Sequence, residues 1–107
     1  MKMTDIEFAS LAEMLKEAYD VAVTHHDRTI LETKHDQLVL RFESNDWRCH
    51  RGVSIIRSSF SYGGTEGLCE AVEVRFNNKD DMILVGEPQG WLNVGGIIRF
   101  INEVLAS

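Results

Sequence analysis

The spacing of apolar residues divides this chain into three stretches, and only the outer two carry a helical period. Near the N-terminus Phe8, Leu11, Leu15, Ala18 and Ala22 recur at intervals of 3, 4, 3 and 4. Near the C-terminus Trp91, Val94, Ile98, Ile101 and Leu105 repeat the same intervals, with Ile97 and Val104 widening the stripe. Such a stripe buries one side of an amphipathic helix. Between them, apolar and polar residues alternate with the two-residue period of a strand. The strands follow one another through short turn clusters rather than helical crossovers. This order predicts an α+β fold: an N-terminal helix, an antiparallel sheet of about five strands, and a C-terminal helix, with both helices on one sheet face. A chain of 107 residues is expected to form one domain, 1–107, with no room for a second independent core.

The first helix is expected from about Asp5 to about Val23. Thr4 and Glu7 have the spacing of a capping box, and Met3 and Phe8 that of a hydrophobic staple. His25-His26-Asp27 is expected to end the helix. Strands are predicted over Thr29–Thr33, then, after a turn at Lys34-His35-Asp36, over Gln37–Glu43. There Leu38, Leu40 and Phe42 face one way and Val39, Arg41 and Glu43 the other. Trp47–Tyr62 reads as one long strand or two short ones, with Gly52 as a bulge or break. Leu68–Phe76 alternates with Val72, Val74 and Phe76 inward. After a turn at Asn77–Asp80, Met82–Val85 is a short strand ended by Gly86–Gly90. Gly95-Gly96 lies inside the last helical pattern. The helix either starts after these glycines or uses them to approach the sheet, since no dinucleotide-binding or P-loop spacing accompanies them.

The hydrophobic fraction of 44% excludes a disordered chain. No apolar run is long enough for a transmembrane helix. Asp5 and Glu7 interrupt the N-terminus where a signal peptide needs about seven apolar residues. The two cysteines, Cys49 and Cys69, form no CxxC and are expected as reduced thiols. The expected location is the cytoplasm.

No motif for catalysis or a cofactor stands out. His25, His26, His35, Cys49, His50 and Cys69 lack the spacing of a structural zinc site, so no metal is expected. Cys49 with a histidine would make a dyad only without any of the known nucleophile signatures.

Charge is the most informative local feature. The chain holds 17 acids and 11 bases, a net charge of −6. That balance argues against a general DNA-coating protein. From Trp47 to Thr65, however, there is no acid and there are three arginines, so +3 inside this window leaves −9 outside it. Trp47, Arg48, His50, Arg51, Arg57, Phe60 and Tyr62 form the candidate partner-binding set. Arginine beside aromatic residues is the composition of protein hot spots and of single-strand nucleic-acid platforms. Past a bulge at Gly52, Val53, Ile55 and Arg57 would share a face. If buried, Arg57 would want an acid such as Glu73; if exposed, it would leave an adhesive apolar patch.

The expected function is a non-enzymatic protein-binding domain of the inhibitor, immunity or adaptor type. It would occlude a partner through a sheet face or edge, with a homodimer also compatible. One alternative is a nucleic-acid or nucleotide-binding module using the 47–65 strand. A second is a small oligomeric enzyme with a Cys/His site.

Overall fold

The computed structural model describes residues 5–19, 21–30, 33–42, 50–58, 68–76 and 82–106. Its elements are α1 (Asp5–Tyr19), β1 (Ala22–Ile30), β2 (Thr33–Arg41), β3 (His50–Ser58), β4 (Cys69–Phe76), β5 (Met82–Leu92) and α2 (Val94–Ala106). The five strands form one antiparallel sheet in chain order, β1-β2-β3-β4-β5. This is the expected α+β architecture.

The helices and one sheet face share a core. Phe8, Leu11 and Leu15 of α1 meet Leu38 and Leu40 of β2, Val53 and Ile55 of β3, Cys69 and Ala71 of β4, and Ile97, Phe100, Ile101 and Val104 of α2. Each fully buried Leu, Ile or Phe contributes about 1.5–3 kcal/mol. Across the core, the Tyr19 hydroxyl at the end of α1 donates to Asn102 Oδ1 on α2 at 2.8 Å.

Four local expectations change. First, α1 ends at Tyr19 rather than near Val23, and His25 and His26 lie within β1. Val21, Val23 and Thr24 are β-branched and favour extended backbone. A continuous ladder from Ala22↔Arg41 to Ile30↔Thr33 then outweighs the helical spacing of Ala18 and Ala22. That ladder also draws Lys34, His35 and Asp36 into β2 instead of a turn.

Second, β3 runs through Gly52 without a bulge, in unbroken register with both neighbours. Gly52 is there for close approach. A Cβ at this position would run into the Leu40 carbonyl oxygen and lie 2.8 Å from the Phe76 ring.

Third, Val72, Val74 and Phe76 are buried, but on the face away from the helices, where they cluster with Val39. The pairing of Val53 with Glu73 and of Ile55 with Ala71 puts the odd-numbered β4 residues on the helix side.

Fourth, β5 continues to Leu92. Two register shifts against β4 absorb the extra residues between Val85 and Leu92. Gly86 at φ 83° and Trp91 at φ 61° lie in this irregular stretch. Trp91 is therefore in the strand, 62% exposed, and outside the helical stripe. The helix begins before its glycines: Asn93 is the cap, its Oδ1 accepting from the Gly96 N–H and its carbonyl from the Ile97 N–H, both at 2.9 Å.

The capping-box residue Thr4, the staple residue Met3 and the turn clusters at 44–46, 63–67 and 77–80 lie outside the described residues.

Candidate binding surfaces of the sheet

Of the seven candidate residues in the acid-free window, Trp47, Arg48, Phe60 and Tyr62 lie outside the described residues, as does Cys49. His50 is described only as the first backbone position of β3. Arg51 and Arg57 are described fully, and both point toward the helices.

Arg57 is buried. Its Nη2 donates to Asp36 Oδ2 at 2.5 Å, from the directly paired position on β2. Its guanidinium carbon stands 4.9 Å from the centre of the Phe8 ring on α1. The acid it needs is thus Asp36, not Glu73. Asp36 is only 2% exposed and also lies 3.4 Å from His25 Nε2. Phe8 packs edge-on against the His25 ring at 5.6 Å.

Arg51 takes Glu73 instead, Nε to Oε2 at 3.2 Å, and its Nη2 donates to the Val104 carbonyl at 2.8 Å. Val104 lies in the last turn of α2, where carbonyls lack helical partners and a cation is favoured by the helix dipole. The last turn has no basic residue of its own. The window thus supplies one clamp per helix: Arg57 against α1 and Arg51 against α2.

Cys69 is also inside this layer. Burial pushes its thiol up to about 11, with the Arg57 cation pulling it down and the Asp36 carboxylate adding to the rise. At neutral pH it is a protonated thiol, the unreactive form. Among the described residues, no group of three or more His, Cys, Asp or Glu is placed to hold a metal ion. No helix among them is long and apolar enough to cross a membrane.

The other sheet face is different. A groove of about 440 Å³ runs across it, lined by Ala22, Thr24, His26, Gln37, Val39, Arg41, Phe76 and Met82. The floor is built around Gly52. Because Gly52 has no side chain, the Phe76 ring lies close over it, and the Arg41 guanidinium carbon sits 4.2 Å above that ring. Gln37 Nε2 donates to Ser54 Oγ at 2.9 Å, which holds the amide in place. The groove opens toward β5, an edge strand whose Met82, Ile83 and Leu84 are 37%, 47% and 59% exposed.

Arg41 was legible from the alternation of β2 as a residue facing away from Leu38 and Leu40. The charge window starts six residues later, so charge alone did not single it out.

The chain matches no protein-family model, and no curated protein or solved structure is similar to it above the level of chance.

Proposed function

We propose that this chain is a non-enzymatic protein-binding domain that occludes a partner through the open sheet face and the adjoining β5 edge. One observation carries the reading: Met82, which lines the groove, and Leu84, which pairs with Val74, are exposed apolar residues of β5 on the side the helices leave bare. Exposed apolar residues on an edge strand form a template for an added strand from another chain. Protein partners bind such edges through main-chain hydrogen bonds and read alternate side chains. Arg51 and Arg57, committed to the two helices, do not favour the nucleic-acid alternative. The Cys/His enzyme alternative rests on Cys49, which lies outside the described residues; the other cysteine, Cys69, is a buried, protonated thiol. A free cysteine goes with a reducing, cytoplasmic setting.

A photo-crosslinking side chain at Leu84, compared with one at Arg99 on the exposed side of α2, tests this in the native cell. A protein adduct formed at 84 and absent at 99 is the expected result. Equal yields at both positions, or none at 84, would overturn the reading. An adduct whose mass is twice that of the chain would make the partner a second copy.

A further inference from the structure

We propose that the first half of β5, Met82 to Val85, pairs antiparallel with the same stretch of a second copy of this chain, across a two-fold axis that joins the two sheets into one. This rests on the reading of that edge as a protein-binding surface and names its partner.

The first half of β5 is apolar on both faces. Met82 and Leu84 pair with Phe76 and Val74 and lie on the open side, while Ile83 and Val85 pair with Arg75 and Glu73 and lie on the helix side. Three of the four are exposed and Val85 is half-buried. A strand with one solvated face alternates apolar with polar residues, whereas a run that is apolar on both faces belongs inside a sheet. Among the described residues β4 is the one strand paired with β5, so this run stands at an edge.

The rest of the sheet margin carries features that discourage pairing. β1, at the opposite edge, has His25-His26-Asp27-Arg28 in its middle. Paired with itself about Asp27, it would set Asp27 against Asp27 and His26 against Arg28, a repulsive arrangement. Beyond Val85, β5 is interrupted by Gly86 at φ 83°, by two register shifts and by Pro88, which has no N–H to donate. Met82 to Val85 is thus a regular, uncharged length of edge strand between irregular and charged ones.

Length and symmetry favour a second copy as the occupant. Four residues offer only a few main-chain hydrogen bonds. A flexible peptide would give up its conformational freedom to make them, whereas a second copy presents its strand already ordered. In an antiparallel pair, directly opposed residues lie on the same face. With Ile83 on the axis, Ile83 opposes its own counterpart on the helix side, and Met82 opposes Leu84 of the other copy on the open side. Self-pairing therefore sets apolar against apolar on both faces. The axis stands perpendicular to the sheet, so the helices of both copies lie on one side and the two open faces continue into each other. Such a contact is smaller than the roughly 800 Å² per partner of a standard interface, which makes the dimer weak and concentration-dependent. Each copy carries a net charge of −6, and salt that screens this repulsion tightens the dimer.

The test is sedimentation equilibrium of the full chain from about 10 µM to about 1 mM. A monomer–dimer equilibrium is expected, tighter in about 0.3 M than in about 0.03 M sodium chloride. Leu84→Lys and Ile83→Lys, at exposed positions on opposite faces of the strand, should each weaken the dimer by about tenfold or more, although each brings the net charge closer to zero. Thr24→Lys, exposed on the β1 edge, makes the same charge change and should not weaken it. Urea denaturation of each variant separates loss of pairing from loss of fold. A photo-crosslinking side chain at Leu84 of the purified chain gives a readout independent of these variants, an adduct of twice the chain mass joined to residues 82–84 of the other copy. A monomer at every concentration, a dimer indifferent to both lysines, a dimer loosened by salt, or an adduct joined to the groove or the helices would each overturn the proposal. The crosslink in the native cell separates the two levels. If it captures a different protein while the purified chain stays monomeric, the surface reading stands and self-pairing fails. If it captures nothing, the surface reading fails as well.

Discussion

The two faces of the sheet hold arginine in different settings. On the helix-covered face, Arg57 and Arg51 are consumed by the fold, each meeting a carboxylate and a helix. On the open face, Arg41 sits over the Phe76 ring in a groove with no acid among its described lining residues. The difference teaches that a cluster of arginines in sequence does not define a site. What matters is which face of its strand each one occupies. Odd-numbered β3 positions lie under the helices, where an unpaired charge would be costly, so they find partners. Arg41 lies at an odd position of β2, where the odd positions point the other way, because antiparallel register pairs Arg57 with Asp36 and Val53 with Leu40.

The comparison can be broken most sharply at Asp36. Asp36→Ala leaves the Arg57 cation buried without its carboxylate and should cost about 3–5 kcal/mol of unfolding free energy, measured by urea denaturation. Replacing both partners with apolar residues, Asp36→Leu with Arg57→Met, should recover most of that loss. A double variant as unstable as the single one would mean that the pair itself stabilises the fold.

On the open face the largest effect belongs to Gly52→Ala. Its methyl group meets the Leu40 carbonyl, which cannot yield as a side chain can, and the Phe76 ring. A loss of about 3 kcal/mol is expected, with a perturbed Arg41–Phe76 contact visible in the aromatic NMR signals. A neutral effect would show that Gly52 does not shape the groove.

Cys69 sharpens the description of the covered layer through pH. Its folded pKa is raised to about 11, so the unfolded chain ionises first and stability falls as pH climbs from about 9 toward about 11. Below that window the contribution is constant. Relative to Cys69→Ala, the parent chain should lose up to about 1.4 kcal/mol per pH unit across it, read from denaturation at matched pH values. Parallel pH profiles for the two chains would contradict a buried, neutral thiol.

The smallest stability effect is expected at Arg41. Arg41→Met should cost about 0.5–1 kcal/mol for the loss of its partly exposed cation–π contact, while removing a positive charge from the groove. A cost as large as that of Asp36→Ala would erase the distinction between the buried, ion-paired Arg57 and the half-buried Arg41 over its ring.

How much of this was legible varies from element to element. The two helices, the antiparallel sheet and the alternation of β2 follow from apolar spacing, because burial on one side imposes its period on the residues. Element ends were less legible. The helical spacing of Ala18 and Ala22 runs past Tyr19, and only pairing with β2 shows that the strand has begun by Ala22. At the other end, Trp91 and Ile98 suggest a helical stripe, whereas the stripe buried in the core is Ile97, Phe100, Ile101 and Val104. Of the candidate site, Arg51 and Arg57 were found by charge but their roles were not, and Arg41 was assigned its face without being recognised as part of a groove.

What the sequence by itself determined is therefore relative: which residues share a face within one element, and that two helices bracket a sheet. Only the tertiary structure decided the absolute facing, namely which side of the sheet the helices cover. It also chose the partners of the charges. Arg57 finds Asp36 across 21 residues of chain and Arg51 finds Val104 across 53. Local periodicity cannot report such pairings, because they exist only after strand register and helix docking bring distant segments together.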